Sequence, residues 1–119
     1  MANQEHLDTL RQDVEIWNRW RTEYPDIKPD LRESNLRESN LINADLSGAE
    51  LRDADLIDAD LGGANLYGVN LYGAHLHGAN LGKVQMGATI FGENDLSTVR
   101  HHPQSRWLDE RGRLKDGHG

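Results

Sequence analysis

No cysteine occurs in the 119 residues, which excludes disulfides, a thiolate nucleophile and Cys-ligated zinc together. Long apolar runs are missing too. Nothing approaches the roughly 18 consecutive apolar residues that cross a bilayer. The first thirty residues lack the basic, apolar, small-residue order of a secretory signal. A soluble cytoplasmic protein without membrane contact is therefore expected. Basic charge is also short. Lys and Arg number 13 against 20 Asp and Glu, a net charge of −7, whereas binding a phosphate backbone needs clustered bases to release counterions. Direct nucleic-acid binding is not expected. A chain of this length builds one narrow core rather than two lobes around a roomy cleft, which argues against an enzyme.

The abundant feature is a five-residue period. Large apolar residues stand at Leu31, Leu36, Leu41, Leu46, Leu51, Leu56, Leu61, Leu66, Leu71, Leu76, Leu81, Met86, Phe91 and Leu96. A small residue sits two places before most of them (Ala44, Ala49, Ala54, Ala59, Ala64, Ala74, Ala79). On an α-helix a step of five rotates successive leucines by about 140°, and on a flat strand an odd step sends them to opposite faces. No straight element can bury them all. If the chain turns a corner every five residues, every leucine can point to one axis, and four corners bring the chain back above its start after twenty residues. Coils then stack at about the 4.8 Å spacing of paired strands, with Leu31, Leu51, Leu71 and Phe91 along one inner line. Gly48, Gly63, Gly68, Gly73 and Gly78 recur at one corner position, as turns with positive φ require.

This A(D/N)LXX register over residues 29–98 resembles the pentapeptide-repeat family. The resemblance implies an all-β fold, a right-handed quadrilateral parallel β-helix of about 3.5 coils and roughly 17 Å, with a leucine column and no ligand cavity. Three segments follow: 1–28, a capping helix and linker; 29–98, the solenoid; and 99–119, a polar tail. In the first, Leu7, Leu10, Val14, Trp17 and Arg21 share a stripe with Ile16 and Trp20 beside it, so residues 4–23 read as one amphipathic helix. Asn3 is its candidate N-cap and Pro25 its stop. Leu10, Val14, Trp17 and Trp20 would cover the leucine column where the first coil has none beneath it. The flanks VEIWNRWRTEYPDIKPDL and TIFGENDLSTVRHH also resemble the module that precedes a Toll/interleukin-1-receptor-like or protease-like domain in bacterial multidomain signalling proteins.

Catalytic constellations are thin. His75 and His77 flank the inward Leu76, and in a twenty-residue coil Asp55, His75 and Asp95 share a column, short of a metal site with three or four converging, supported ligands. No cofactor or metal is expected. The serines have no histidine at a consistent offset, and the glycine spacing is the repeat period rather than a phosphate loop.

Charge and exposed aromatics carry the functional content. Segments 1–28, 29–98 and 99–119 hold −2, −7 and +2, and nine of the solenoid's eleven acids precede residue 64. The coil period sets Asp30 over Glu50, Glu33 over Asp53 and Glu38 over Asp58, with Arg32 over Arg52 offsetting part of the repulsion. These acids, with the outward Tyr67 and Tyr72, form the candidate surface for a protein partner. The alternative is an acidic DNA mimic that inhibits a topoisomerase, as some proteins of the resembled family are. Duplex DNA carries one charge per about 1.7 Å, roughly ten over 17 Å, and the −7 approaches this, although crowded into the first half. At the far end Phe91 and Leu96 need cover. The tail alone can supply it through Trp107, Leu108 and Leu114, or two chains can meet as an end-to-end homodimer through their C-terminal coils.

Overall fold

The computed structural model describes residues 1–92 and 98–99. From Pro29 onward the chain runs as a β-solenoid with twenty residues per coil. Parallel bridges join Asp30 to Glu50, Asn35 to Asp55, Asn40 to Asp60 and Asp45 to Asn65, and the same offset continues to Asn70 and Ile90. Each bridge is a single residue rather than a strand, because a corner every five residues leaves only the residue before each leucine extended. The leucine column is closed to water from Leu31 to Leu81, and Met86 and Phe91 continue it. Leu96 lies outside the described residues.

The corners share one geometry. The leucine carbonyls from Leu31 to Leu76 each accept a hydrogen bond from the N–H three residues on, as in Ala54 to Leu51 at 3.1 Å. The residue two after the leucine has positive φ, while the one before it does not: a type II turn. Glycine is the natural occupant, as Gly63 to Gly78 show, yet Glu33, Glu38, Asn43, Asp53, Asp58, Lys83 and Ala88 hold the same φ near +60°. The described residues beyond Phe91 depart from this register. Gly92 takes positive φ one place early, and Gly78 N–H bonds Thr98 O, twenty residues on, where lower corners reach nineteen on, as Glu33 does to Arg52.

The single helix expected over 4–23 is two: α1 (Gln4–Gln12) and α2 (Val14–Glu23). Asp13 breaks it. Its backbone is fully extended (φ −171°, ψ 168°) and its carboxylate caps α2 by accepting the Ile16 N–H at 2.8 Å. Asn3 caps α1 as expected, accepting from Glu5 and His6. The break lets each helix lay its own apolar face on the first coil, burying Leu7, Leu10 and Trp17, with Val14 and Trp20 partly covered against the same core.

Candidate functional site

The first coil has no coil beneath it, so its downward N–H and C=O groups form an open edge. Side chains of the two helices occupy that edge in place of a lower coil. Trp17 is fully buried and its Nε1–H donates to Asp45 O at 2.7 Å. Asn18 Oδ1 accepts the Asp45 N–H at 2.7 Å while its Nδ2 donates to Asn43 O at 3.0 Å. Arg11 reaches Asn35 O at 2.7 Å, and His6 Nδ1 accepts the Asp30 N–H at 3.0 Å. Arg21 is buried and donates to Ile27 O at 2.8 Å and Ser47 O at 2.6 Å. Burial pushes its pKa down, and Asp45 works against that. Of these, Trp17, its apolar neighbours and the inward place of Arg21 were legible from helical periodicity; His6, Asn18 and the carbonyls that Arg21 meets were not, because those partners lie more than twenty residues away or across a turn.

On the solenoid about half of the acids expected to repel are compensated. Arg32 pairs with Asp30 at 2.9 Å and Arg52 with Glu50 at 2.9 Å, each within its own turn. Hydrogen bonding from Arg32 holds the Asp30 carboxyl below its usual range against the opposing effect of burial. Arg37 reaches up to Asp55 at 3.0 Å. Burial raises the Asp55 pKa, but the Ile57 N–H and Arg37 outweigh it. Glu38, Asp53 and Asp58 have no ion-pair partner among the described residues. Asp53 and Asp58 lay their carboxylates over Gly73 and Gly78 in the coil above, where a Cβ would collide with them. His75 stands above Asp55 as the column requires, and Asp95 lies outside the described residues.

Tyr67 and Tyr72 stand on adjoining sides of one corner, 59 % and 57 % exposed. Each ring lies along the solenoid axis over a glycine of the next coil, Tyr67 over Gly87 and Tyr72 over Gly92. Ile90, 52 % exposed, completes an apolar patch between them, one coil above Asn70. The rings are thus fixed by packing on one face and open on the other.

The sequence model described as pentapeptide repeats, in eight copies, matches residues 29–56 and 49–87, the coils just described. The chain belongs to the pentapeptide-repeat family. Pentapeptide-repeat proteins are generally non-catalytic structural or interaction modules. Among solved structures, the chain is similar to a pentapeptide-repeat protein of the Arabidopsis thaliana thylakoid lumen (24 % identity, 73 % of this chain and 69 % of that one, TM-score 0.44). It is also similar to HetL, a pentapeptide-repeat protein involved in heterocyst differentiation regulation in Nostoc sp. strain PCC 7120 (24 %, 74 % and 50 %, TM-score 0.38). A third is a pentapeptide-repeat protein of Cyanothece 51142 (28 %, 76 % and 67 %, TM-score 0.36). No curated protein matches the chain. The pentapeptide-repeat match takes in only residues 29–31 of the first flank and none of the second, so the likeness to Toll/interleukin-1-receptor-like proteins gains nothing from it. Among the described residues no helix is long and apolar enough to cross a membrane.

Proposed function

We propose that this pentapeptide-repeat solenoid, read as right-handed after its family, is a non-catalytic cytoplasmic scaffold whose protein partner docks on the Tyr67–Tyr72–Ile90 corner. The exposure of those three side chains on a rigid, glycine-backed surface carries the reading. Tyrosine gives large contact area at low entropic cost and is enriched where binding energy concentrates. The unpaired Asp53, under Gly73 beside Tyr72, would favour a partner with basic residues at its rim. Affinity capture with the wild-type chain and with the Tyr67→Ser/Tyr72→Ser double variant tests it: partners held through the corner disappear from the variant, and an unchanged partner set sinks the reading.

The DNA-mimic alternative draws its support from the net −7. It is weakened by the pairing of Asp30, Glu50 and Asp55 with arginines, which interrupts any column of bare charge. A supercoiling assay with purified gyrase separates the two readings, the scaffold predicting no inhibition. How the far end closes is a separate proposal, for Leu96 and the tail lie outside the described residues. An end-to-end homodimer doubles the mass in sedimentation equilibrium, whereas closure by the tail holds it at 13.4 kDa.

A further inference from the structure

A groove of about 520 Å³ opens on the cap between α1, the end of α2 and the linker to the first coil. Its walls are the rings of His6, Trp20 and Tyr24 with Ile27 at one end, and Glu5 and Glu23 stand at its rim. The rings form a tilted series: His6 to Trp20 at 5.0 Å and 49°, Trp20 to Tyr24 at 6.2 Å and 42°. Neither glutamate carboxylate meets a cation among the described residues. Tyr24 is 50 % exposed, although none of the contacts that hold the cap to the coil uses its ring.

We propose that this groove binds the guanidinium of an arginine side chain presented by a partner protein. Aromatic faces attract cations through their quadrupoles, and tryptophan does so most strongly. A guanidinium stacks flat on such a face while its edge still donates hydrogen bonds, which Glu5 and Glu23 are placed to accept. The third ring does not oppose the ligand. His6 Nδ1 already accepts the Asp30 N–H, so the ring's proton sits on Nε2 and the imidazole is neutral. Burial lowers its pKa and Arg21 adds to that, while Asp30 and Glu5 pull the other way. Arg21 itself turns inward to the Ile27 and Ser47 carbonyls and does not line the groove.

Titrating the full chain with Nα-acetyl-arginine amide, followed by NMR at the Trp20 indole N–H, tests this. The citrulline analogue, equal in shape but uncharged, should bind about fivefold or more weakly, given the size of cation–π contributions. Exposed Tyr24→Ala and Glu23→Gln should each weaken arginine binding severalfold without altering the fold, as checked by circular dichroism. Equal binding of arginine and citrulline, or no saturable shift at Trp20, overturns the proposal. So does affinity unchanged in both variants. Tighter binding of the trimethyl-lysine analogue, which cannot donate to the glutamates, overturns the assignment to arginine in favour of a quaternary ammonium.

Discussion

The coils and the cap meet the same physical demand by different means. Between coils, backbone bonds to backbone every twenty residues, so the outward side chains can vary from Arg32 to Arg52 to Tyr72 in one column without disturbing the ladder. At the first coil's open edge the Asn3 N–H continues that ladder to Asp30 O at 2.9 Å, and elsewhere individual side chains replace it: Trp17, Asn18, Arg11, Arg21 and His6 each meet one or two named backbone atoms. The lesson is about tolerance. A repeat whose contacts lie in its backbone accepts most outward substitutions, and an end whose contacts lie in its side chains does not.

The sharpest way to break that comparison is Trp17→Ala. Losing a fully buried indole should remove about 3–5 kcal/mol and also leave the Asp45 carbonyl without its donor. Denaturant unfolding should place it at least as low as Leu56→Ala in the middle of the column; a mild effect would mean the helices are not part of the core. Next is Asn18→Ala, which leaves Asp45 N–H and Asn43 O without partners and should cost about 1–3 kcal/mol. Its counterpart on the coils, Asn80→Ala, loses the bond its Nδ2 gives to Asp60 and the Gly82 N–H that its Oδ1 accepts. Asp60 and Gly82 are half-exposed and water can replace it, so the cost should be about 1 kcal/mol, less than that of Asn18→Ala. Equal losses would erase the distinction.

The pH profile sharpens the comparison further. His6 has a folded pKa below its ordinary 6.5, so below pH 6.5 the unfolded chain takes up the proton more readily than the folded one. Its contribution is complete above pH 6.5 and is lost as pH falls through the lowered folded value. Asp30 and Asp55, also lowered from 3.8, lose theirs only below pH 3.8. Thermal unfolding between pH 7 and pH 5 should therefore weaken through the cap first, and His6→Asn, whose Oδ1 takes the place of Nδ1 and can still accept from Asp30, should flatten that limb.

The smallest effect belongs to the corners. Glu38 has φ +61° with no ion-pair partner among the described residues, and glycine there relieves a left-handed strain of about 1–2 kcal/mol against a smaller rise in unfolded-state entropy. Glu38→Gly should stabilise by about 0.5 kcal/mol. The reverse change, Gly73→Ala, should destabilise, since its Cβ would strike the Asp53 carboxylate. A destabilising Glu38→Gly or a stabilising Gly73→Ala would show that the corners are not equivalent along the solenoid.

Much of this was legible in the residues. The leucine period fixed what is buried and how many residues make a coil, because a five-residue corner is a local demand that repeats without reference to anything distant. The recurring glycines marked the positive-φ position, although the column also holds Glu33, Lys83 and Ala88, so composition understated how uniform the corner is. Helical periodicity found the apolar face of the cap and Asn3, but it ran through Asp13, a good N-cap residue in a stretch with no Pro or Gly to signal a stop. The twenty-residue period placed Asp30 under Glu50, and the partial offset expected from Arg32 and Arg52 comes from each folding back onto the acid of its own turn.

The sequence alone thus determined the solenoid, its period, its buried column and the presence of an amphipathic N-terminal cover, all of which follow from local geometry multiplied by repetition. The tertiary structure alone decided the helix break, the matching of cap side chains to single backbone atoms of the first coil, the seating of Tyr67 and Tyr72 on glycines one coil above, and the aromatic groove. Each of these depends on where residues without any shared period come to lie once the coils have closed, and no pattern along the chain encodes that distance.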